Sequence, residues 1–198
     1  MPSAPKRVFR ELKRHGLLLL NDPDLPSLCG ITVGQRVRGS WWAHPRAQEI
    51  FSVYGALEDH PDVLIVKLVS GKLTYIHRRL WPQVVAIGHA REPWQMHGLP
   101  AAARKLLAEV DFAPVEPGRA MNKAADELVA RLLVYSLQYH SESGAHRRRV
   151  ESWQHWSDRT GVPPDGLSDA AARITLEQVL ASLNDAYGGK GRLPWQKY

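Results

Sequence analysis

The sequence has only one cysteine, Cys29, among its 198 residues. A single thiol excludes an intramolecular disulfide and any metal or cluster site that needs several cysteines. Long apolar runs are also missing, because stretches such as 17–20 and 63–66 are far shorter than the roughly 20 residues of a membrane span. The basic N-terminal segment is not followed by the apolar core of a secretory signal. We therefore expect a cytoplasmic protein with no membrane partner.

Several motifs of nucleotide-binding and hydrolytic enzymes are absent. The sequence contains no Walker A motif, no GxGxxG fingerprint and no GxSxG nucleophile turn. The GGKGR stretch at 188–192 is rich in glycine. No predicted strand precedes it and no predicted helix follows it, so we interpret it as part of a basic tail. We expect no cofactor.

Phenylalanine is scarce, with 3 residues against 7 tryptophans. An indole ring serves equally well as a core residue and as a stacking surface for a base or a sugar. The hydrophobic share of 44% and the charged share of 23% are typical of a folded globular protein. The net charge of +6 favours a polyanionic partner.

The N-terminal part of the sequence predicts helical elements followed by a hairpin. Apolar spacing predicts the helical segments, while alternation predicts a brief strand over 34–42. Two β-branched and aromatic runs on either side of Ser70 and Gly71 predict a β-hairpin. This order is typical of a winged helix, so we expect an α+β fold with a winged-helix-like N-terminal lobe whose wing is Ser70–Lys72. The helical segments are 7–20, 27–34 and 44–59.

The C-terminal part predicts a helical lobe. Two prolines and a glycine in 112–118 indicate a linker, which divides the chain into domains 1–111 and 119–198. Steps of three and four residues predict one strong helix over 121–139, which continues or restarts as a surface helix towards Trp156. The glycine-rich tail is expected to be mobile unless Trp195 docks. The other predicted helices are 82–91, 99–110 and 168–187.

Three stretches resemble a family of bacterial proteins. They are GSWWAHP at 39–45, DHPDV at 59–63 and GKLTYIHRRLW at 71–81, and the resemblance extends over roughly residues 25–110. No named activity is attached to that family, so the resemblance implies no catalytic role.

Basic and aromatic residues around the predicted hairpin indicate nucleic-acid binding, with DNA favoured over RNA. Guanidinium and ammonium groups match phosphates, and interleaved indole rings can stack on an unpaired base. Trp81 belongs to the same stretch, and the alternative is that tryptophans fill the core while the charges form a solvated face. The candidate binding residues are Arg36, Arg38, Trp41, Trp42, Lys72, His77, Arg78, Arg79, Arg147, Arg148 and Arg149.

Two other functions stay open at this point. A DNA repair enzyme, either a base glycosylase or an abasic-site lyase, would use Lys67 or Lys72 as a Schiff-base nucleophile with Asp62 as the nearby carboxylate. A protein-interaction module would use the aromatic residues to bind a partner.

A candidate metal site lies in the segment between the predicted helices of the C-terminal lobe. His140, Glu142 and His146 are residue types that bind divalent ions, but two histidines six residues apart diverge on a helix. A break at Ser143 and Gly144 is needed to bring them together. We therefore favour a surface helix with a basic stripe over a metal site.

Overall fold

A computed structural model describes residues 3–140, 146–163 and 166–197, and it is a mixed α+β protein. The chain forms two compact units. Unit 1 comprises the residues up to Trp81 together with Ile174–Lys197, and unit 2 comprises Pro82–Arg173. In the described part of the chain, no helix combines the length and apolar character that crossing a membrane requires.

This division differs from the expected domains 1–111 and 119–198. The expected linker is tied into unit 2, because Val115 and Val150 exchange backbone hydrogen bonds of 2.9 and 2.8 Å. The last helix also contributes to both units, since the unit boundary falls within it at Arg173 and Ile174.

Unit 1 is built from helices that pack on both faces of a three-stranded antiparallel sheet. The elements are α1 (Ala4–His15), β1 (Leu17–Leu19), α2 (Leu28–Val33), α3 (Ala47–Glu58), β2 (Val63–Lys67) and β3 (Leu73–His77). The strand order is β1-β3-β2, so β3 is the central strand, and its Tyr75 lies opposite Leu18 of β1 and Ile65 of β2.

The two faces of this sheet are covered by different helices. Alternation along β1 directs Leu18 towards α1, α2 and α3, while Leu17 and Leu19 lie against Leu180 and Leu183 of the C-terminal helix. The residues of the core between the sheet and α1, α2 and α3 are fully buried. Burial of apolar surface is therefore the main contribution to the stability of the unit. The core residues include Val8, Leu12, Leu28, Ile50, Val53 and Tyr75.

The predicted helix over 7–20 is wrong beyond His15. Gly16, at φ 83°, ends α1, and its N–H donates to Leu12 O at 2.7 Å. Leu17–Leu19 then pairs with β3, because a strand buries leucines on both faces of the sheet whereas a helix would expose some of them. The brief strand predicted over 34–42 is also wrong, since this segment is irregular and ends in a 3-10 turn at Trp41–Ala43.

The predicted hairpin is confirmed. Ser70 and Gly71 have φ of 53° and 72°, the pair of positive values that a tight type I′ turn requires. Lys72 N donates to Val69 O at 3.0 Å and closes the turn. The predicted helices over 44–59, 82–91 and 99–110 are confirmed as well, with ends shifted by a few residues.

Unit 2 packs helices against a two-stranded antiparallel ribbon. Its core is apolar and includes Leu106, Leu128 and Val150. The elements are α4 (Trp81–Ala90), α5 (Pro93–Met96), α6 (Ala101–Phe112), α7 (Asn122–Ala130), β4 (Tyr135–His140), β5 (His146–Glu151), α8 (Trp153–Thr160) and α9 (Asp169–Tyr187), of which α4 begins in unit 1 and α9 ends there.

The single helix predicted over 121–139 is wrong, and so is its continuation as a surface helix. The helical spacing holds only to Ala130, and Leu132 has a φ of 54°. Leu132 O accepts a 2.7 Å hydrogen bond from Trp153 Nε1, which ties the chain to α8 beyond the helix. Tyr135 then starts a strand, because its apolar and polar residues alternate and β5 is available as a partner.

The final helix is confirmed, and Ser168 Oγ accepts from Ala171 N at 3.2 Å as its cap. The tail after it docks through Trp195. This indole is 8% exposed and donates Nε1 to Glu177 Oε1 at 2.6 Å. The tail was expected to be mobile unless Trp195 docks, and the docking of Trp195 is confirmed.

Two helical glycines provide a test of the packing. A Cβ at Gly88 of α4 would lie 2.2 Å from Trp153 Cδ1, whereas a Cβ at Gly55 of α3 would meet nothing within 4 Å. We expect Gly88→Ala to destabilise the protein by about 1–3 kcal/mol. Gly55→Ala should be neutral or stabilising by up to about 1 kcal/mol. Thermal unfolding measures both, and equal melting temperatures would contradict the close packing of α4 on Trp153.

Candidate nucleic-acid interface

The structure distributes the candidate residues of unit 1 between the two ends of the sheet. We call the end with the Val69–Lys72 turn the turn end. Lys67 lies opposite Leu73 there, while Val63 lies opposite His77 at the other end. The five residues of each strand separate the two ends by about 13 Å at roughly 3.3 Å per residue. The candidate residues therefore do not form a single surface.

Asp22 organises the turn end. Its Oδ2 accepts from Lys72 Nζ at 2.7 Å, and its Oδ1 accepts from the N–H groups of Asp24 and Leu25 at 2.9 and 2.8 Å. Burial alone would raise the pKa of Asp22, but the Lys72 ammonium and these two amides together lower the pKa below its ordinary value. The carboxylate thus joins an Asx turn to the hairpin with its charge retained.

The neighbours of Asp22 hold the chain between α2 and α3 at the turn end. Asn21 Nδ2 donates to Gly39 O at 3.0 Å, and Arg36 lies 3.5 Å from Asp24. Val37 is buried, so the arginines on either side of it, Arg36 and Arg38, are exposed to solvent. An ion pair as long and as exposed as that of Arg36 contributes little, which leaves this guanidinium available to an external anion.

Trp41 and Trp42 also lie in the chain between α2 and α3, and their rings stack on each other. Their ring centroids are 3.9 Å apart, and Trp42 is 63% exposed. The ring centroid of Phe51 in α3 lies 5.6 Å from that of Trp42, and Phe51 is also exposed. Trp81 behaves differently, because it is buried and donates Nε1 to Ile76 O at 3.1 Å. The core alternative therefore holds for Trp81 and not for Trp42.

His77, Arg78 and Arg79 lie at the opposite end of the sheet. Arg79 Nη2 donates to the carbonyl of Arg14 at 3.1 Å, which satisfies a terminal carbonyl of α1. Arg78 is 3.6 Å from Asp62 and lies over the Trp81 ring at 5.8 Å.

The pKa of His77 is lower than that of a free histidine. Burial lowers the pKa of His77, and the positive charge of Arg79 lowers it further. Its Nδ1 accepts from Arg79 N at 3.3 Å, so the ring supports the chain locally.

The three residues considered for catalysis are not assembled. Lys67 and Lys72 lie at the turn end, whereas Asp62 precedes β2 at the other end. The carboxylate beside Lys72 is Asp22, at 2.7 Å, and not Asp62. No lysine of the candidate set therefore lies beside the carboxylate that the Schiff-base mechanism requires, and this geometry gives the mechanism no support.

In unit 2 the three adjacent arginines face different ways. Arg148 donates to Ser136 Oγ at 2.8 Å and to Asp126 Oδ1 at 2.9 Å, so it fastens the ribbon to α7. Arg147 and Arg149 are exposed on the other face, with Arg147 3.8 Å from Glu116. Two of the three arginines therefore remain accessible to a ligand.

The metal candidate falls mainly outside the described part of the chain. Glu142 and the side chains of His140 and His146 lie outside the described residues. Within 3–140, 146–163 and 166–197, no group of three or more His, Cys, Asp or Glu side chains is arranged to hold a metal ion.

Sequence reasoning overlooked Asp22, the residue that brings the elements of the turn end together. A signal was present, because an Asn-Asp-Pro-Asp stretch is typical of a turn in which an Asp side chain accepts from the backbone. The contact with Lys72 was not readable, since it joins residues 50 positions apart.

Acid unfolding tests the role of Asp22. Its lowered pKa in the folded state means that its contribution to stability is full above about pH 4 and disappears as the pH falls through that lowered pKa. We expect Asp22→Asn, which keeps an oxygen acceptor for the turn, to remove this part of the pH dependence. Asp22→Ala should cost about 1 kcal/mol more, because it also removes the turn acceptor.

Urea unfolding across pH 2–7 measures both Asp22 variants against the unaltered chain. An Asp22→Asn profile that is parallel to that of the unaltered protein below pH 4 would contradict the contact with Lys72.

No family model, no curated protein and no solved structure matches the chain. The resemblance to a bacterial family over roughly residues 25–110 stays a prediction.

Proposed function

We propose that unit 1 is a winged-helix module that binds a nucleic-acid duplex through the turn end, with DNA favoured over RNA. The order of elements supports this proposal. In a winged helix, three helices and three strands follow each other as α-β-α-α-β-β, and the first strand pairs with the last. Unit 1 has this order, with the sheet order β1-β3-β2.

The observation that carries the proposal is the exposure of cations at the turn end. In a winged helix, the chain before the third helix and the turn of the hairpin lie on the side that meets the duplex. Arg36 and Arg38 are exposed in the first segment, and Lys67 and Lys72 flank the second. Only two carboxylates, Asp22 and Asp24, accompany them in the described contacts of this end. Such an excess of cations is suited to phosphate contacts.

The composition of α3 predicts weak sequence preference. Ala47–Glu58 contains no Lys or Arg, although Gln48 and Ser52 are exposed on it. Arginine contacts to guanine are the commonest specific contacts in the major groove, and this helix cannot make them. Affinity would then come from phosphates and depend steeply on salt. The exposed Trp42 adds a stacking surface for an unpaired base.

The ribbon of unit 2 offers a second set of phosphate contacts. Arg147 and Arg149 are exposed on one face of β5, and a two-stranded ribbon is narrow enough to enter a major groove. We include these two arginines in the proposal, whereas Arg148 acts within the protein.

A salt titration tests the assignment of the turn end. We expect Arg36→Ala with Arg38→Ala to reduce the slope of log K against log salt by about 1.8, because each lost phosphate contact removes about 0.9. Arg78→Ala with Arg79→Ala removes the same charge at the opposite end of the sheet and serves as the matched control. Fluorescence anisotropy with a labelled 20-base-pair duplex measures both, and circular dichroism checks the fold.

The two double variants separate the candidate ends. A lower slope in the Arg78 and Arg79 variant alone would transfer the interface to the other end of the sheet. Equal slopes in all three proteins would remove both arginine pairs from the interface.

The exposed aromatic rings favour a second candidate, a protein-interaction module. Trp42 and Phe51 are close together and exposed, and α3 carries Glu49 and Glu58 rather than basic residues. Large exposed rings are typical of protein interfaces. This candidate replaces the first if the unaltered chain binds neither double-stranded nor single-stranded DNA at any salt concentration.

A further inference from the structure

The glycine-rich tail beyond α9 has a definite shape. Asn184 holds it with three hydrogen bonds: Nδ2 donates to Gly191 O at 3.0 Å, Oδ1 accepts from Gly191 N at 2.8 Å, and its carbonyl accepts from Gly189 N at 3.0 Å. A Cβ at Gly189 would lie 2.4 Å from Leu25 Cδ2, and one at Gly191 would lie 2.9 Å from the side chains of Leu25 and Val69. The glycines are therefore required for close packing and not for mobility.

This tail is joined to the turn of the hairpin. Ser70 N donates to Arg192 O at 2.7 Å, and Arg192 N donates to Ser70 Oγ at 3.2 Å. Ser70 has a positive φ that non-glycine residues rarely adopt, and its N–H is satisfied by the tail. Leu193 and Trp195 are buried just beyond this contact and anchor it. The backbone of the tail thus covers the tip of the turn.

The tail brings two cations to the turn end. Lys190 and Arg192 are exposed, and within the described part of the chain neither forms an ion pair. The backbone amides around these two side chains are already used within the protein, because the N–H groups of Gly189, Gly191 and Arg192 all donate to protein acceptors. The loop cannot hold a phosphate with these amides in the manner of a Walker A loop. Any anion contact must come from the two side chains.

We propose that the tail replaces the tip of the hairpin as the wing, and that Lys190 and Arg192 contact the phosphates of the bound duplex. This proposal rests on the proposed function and extends its surface. A guanidinium and an ammonium two residues apart, fixed to a rigid loop, suit successive phosphates of one strand. The tip of the hairpin then supports the tail through Ser70, and Lys67 and Lys72 keep the phosphate contacts of the proposed function.

A charge-removal variant tests this proposal. Lys190→Ala with Arg192→Ala should reduce the slope of log K against log salt by about 1.8, at about 0.9 for each phosphate. Both side chains are exposed, so we expect the melting temperature to stay unchanged. Lys105→Ala with Lys123→Ala removes two exposed lysines from α6 and α7 of unit 2 and is the matched control. Its slope should equal that of the unaltered chain.

Photocrosslinking gives a second and direct readout. Cys29 is buried, and burial raises its pKa to about 12, so a maleimide reagent reacts selectively with a thiol introduced by Lys190→Cys. A benzophenone attached there should crosslink to the duplex, and the yield should fall with rising salt. The same label introduced by Lys105→Cys should give no crosslink.

The outcomes distinguish this proposal from the one on which it rests. An unchanged slope in the Lys190 and Arg192 variant, together with no crosslink from position 190, would overturn the role of the tail. If the Arg36 and Arg38 variant still has a lower slope, the proposed function survives that result. Absence of any duplex binding by the unaltered chain would overturn both.

Discussion

The arrangement of the turn end of unit 1 depends on the carboxylate of Asp22. One of its oxygens accepts two backbone N–H groups, and the other accepts the Lys72 ammonium. These contacts tie the turn after β1 to the hairpin, and the neighbouring Asn21 ties the same turn to Gly39. Three segments that are distant in the sequence therefore meet at the turn end. The cost of bringing a carboxylate to a half-buried position is offset by its three donors.

The turn end combines a rigid support with exposed charge. Arg36 and Arg38 flank a buried valine, and Lys190 and Arg192 lie on a loop whose glycines pack tightly against Leu25. In both segments the backbone is held by internal hydrogen bonds while the cationic side chains remain in solvent. Rigid presentation lowers the entropy lost when a ligand orders the surface. The cations at the other end of the sheet are used differently, since Arg79 satisfies a helix carbonyl.

Local patterns predicted most of the elements, while long-range contacts decided the rest. The hairpin, α3, α4, α6 and α9 were readable because their turn residues and apolar spacing lie within one element. The strand at Leu17–Leu19 was not readable, because its partner β3 lies far along the chain. The ribbon after Leu132 was not readable either, because the second strand, β5, lies beyond an interruption of the sequence pattern. In the candidate site, Arg36 and Arg38 are exposed on either side of the buried Val37, although the strand predicted there does not form. Residue types alone could not show that Lys72 and Asp62 lie at different ends of the sheet.

The central claim is that the turn end of unit 1 is the surface that binds a nucleic-acid duplex. Amide hydrogen exchange, measured with and without a saturating 20-base-pair duplex at low salt, tests it most directly. The account predicts slower exchange in 36–43 and 68–72, and no change in 77–80 at the opposite end of the sheet. Slower exchange confined to 77–80, or no change anywhere in unit 1 when the duplex is bound, would contradict it.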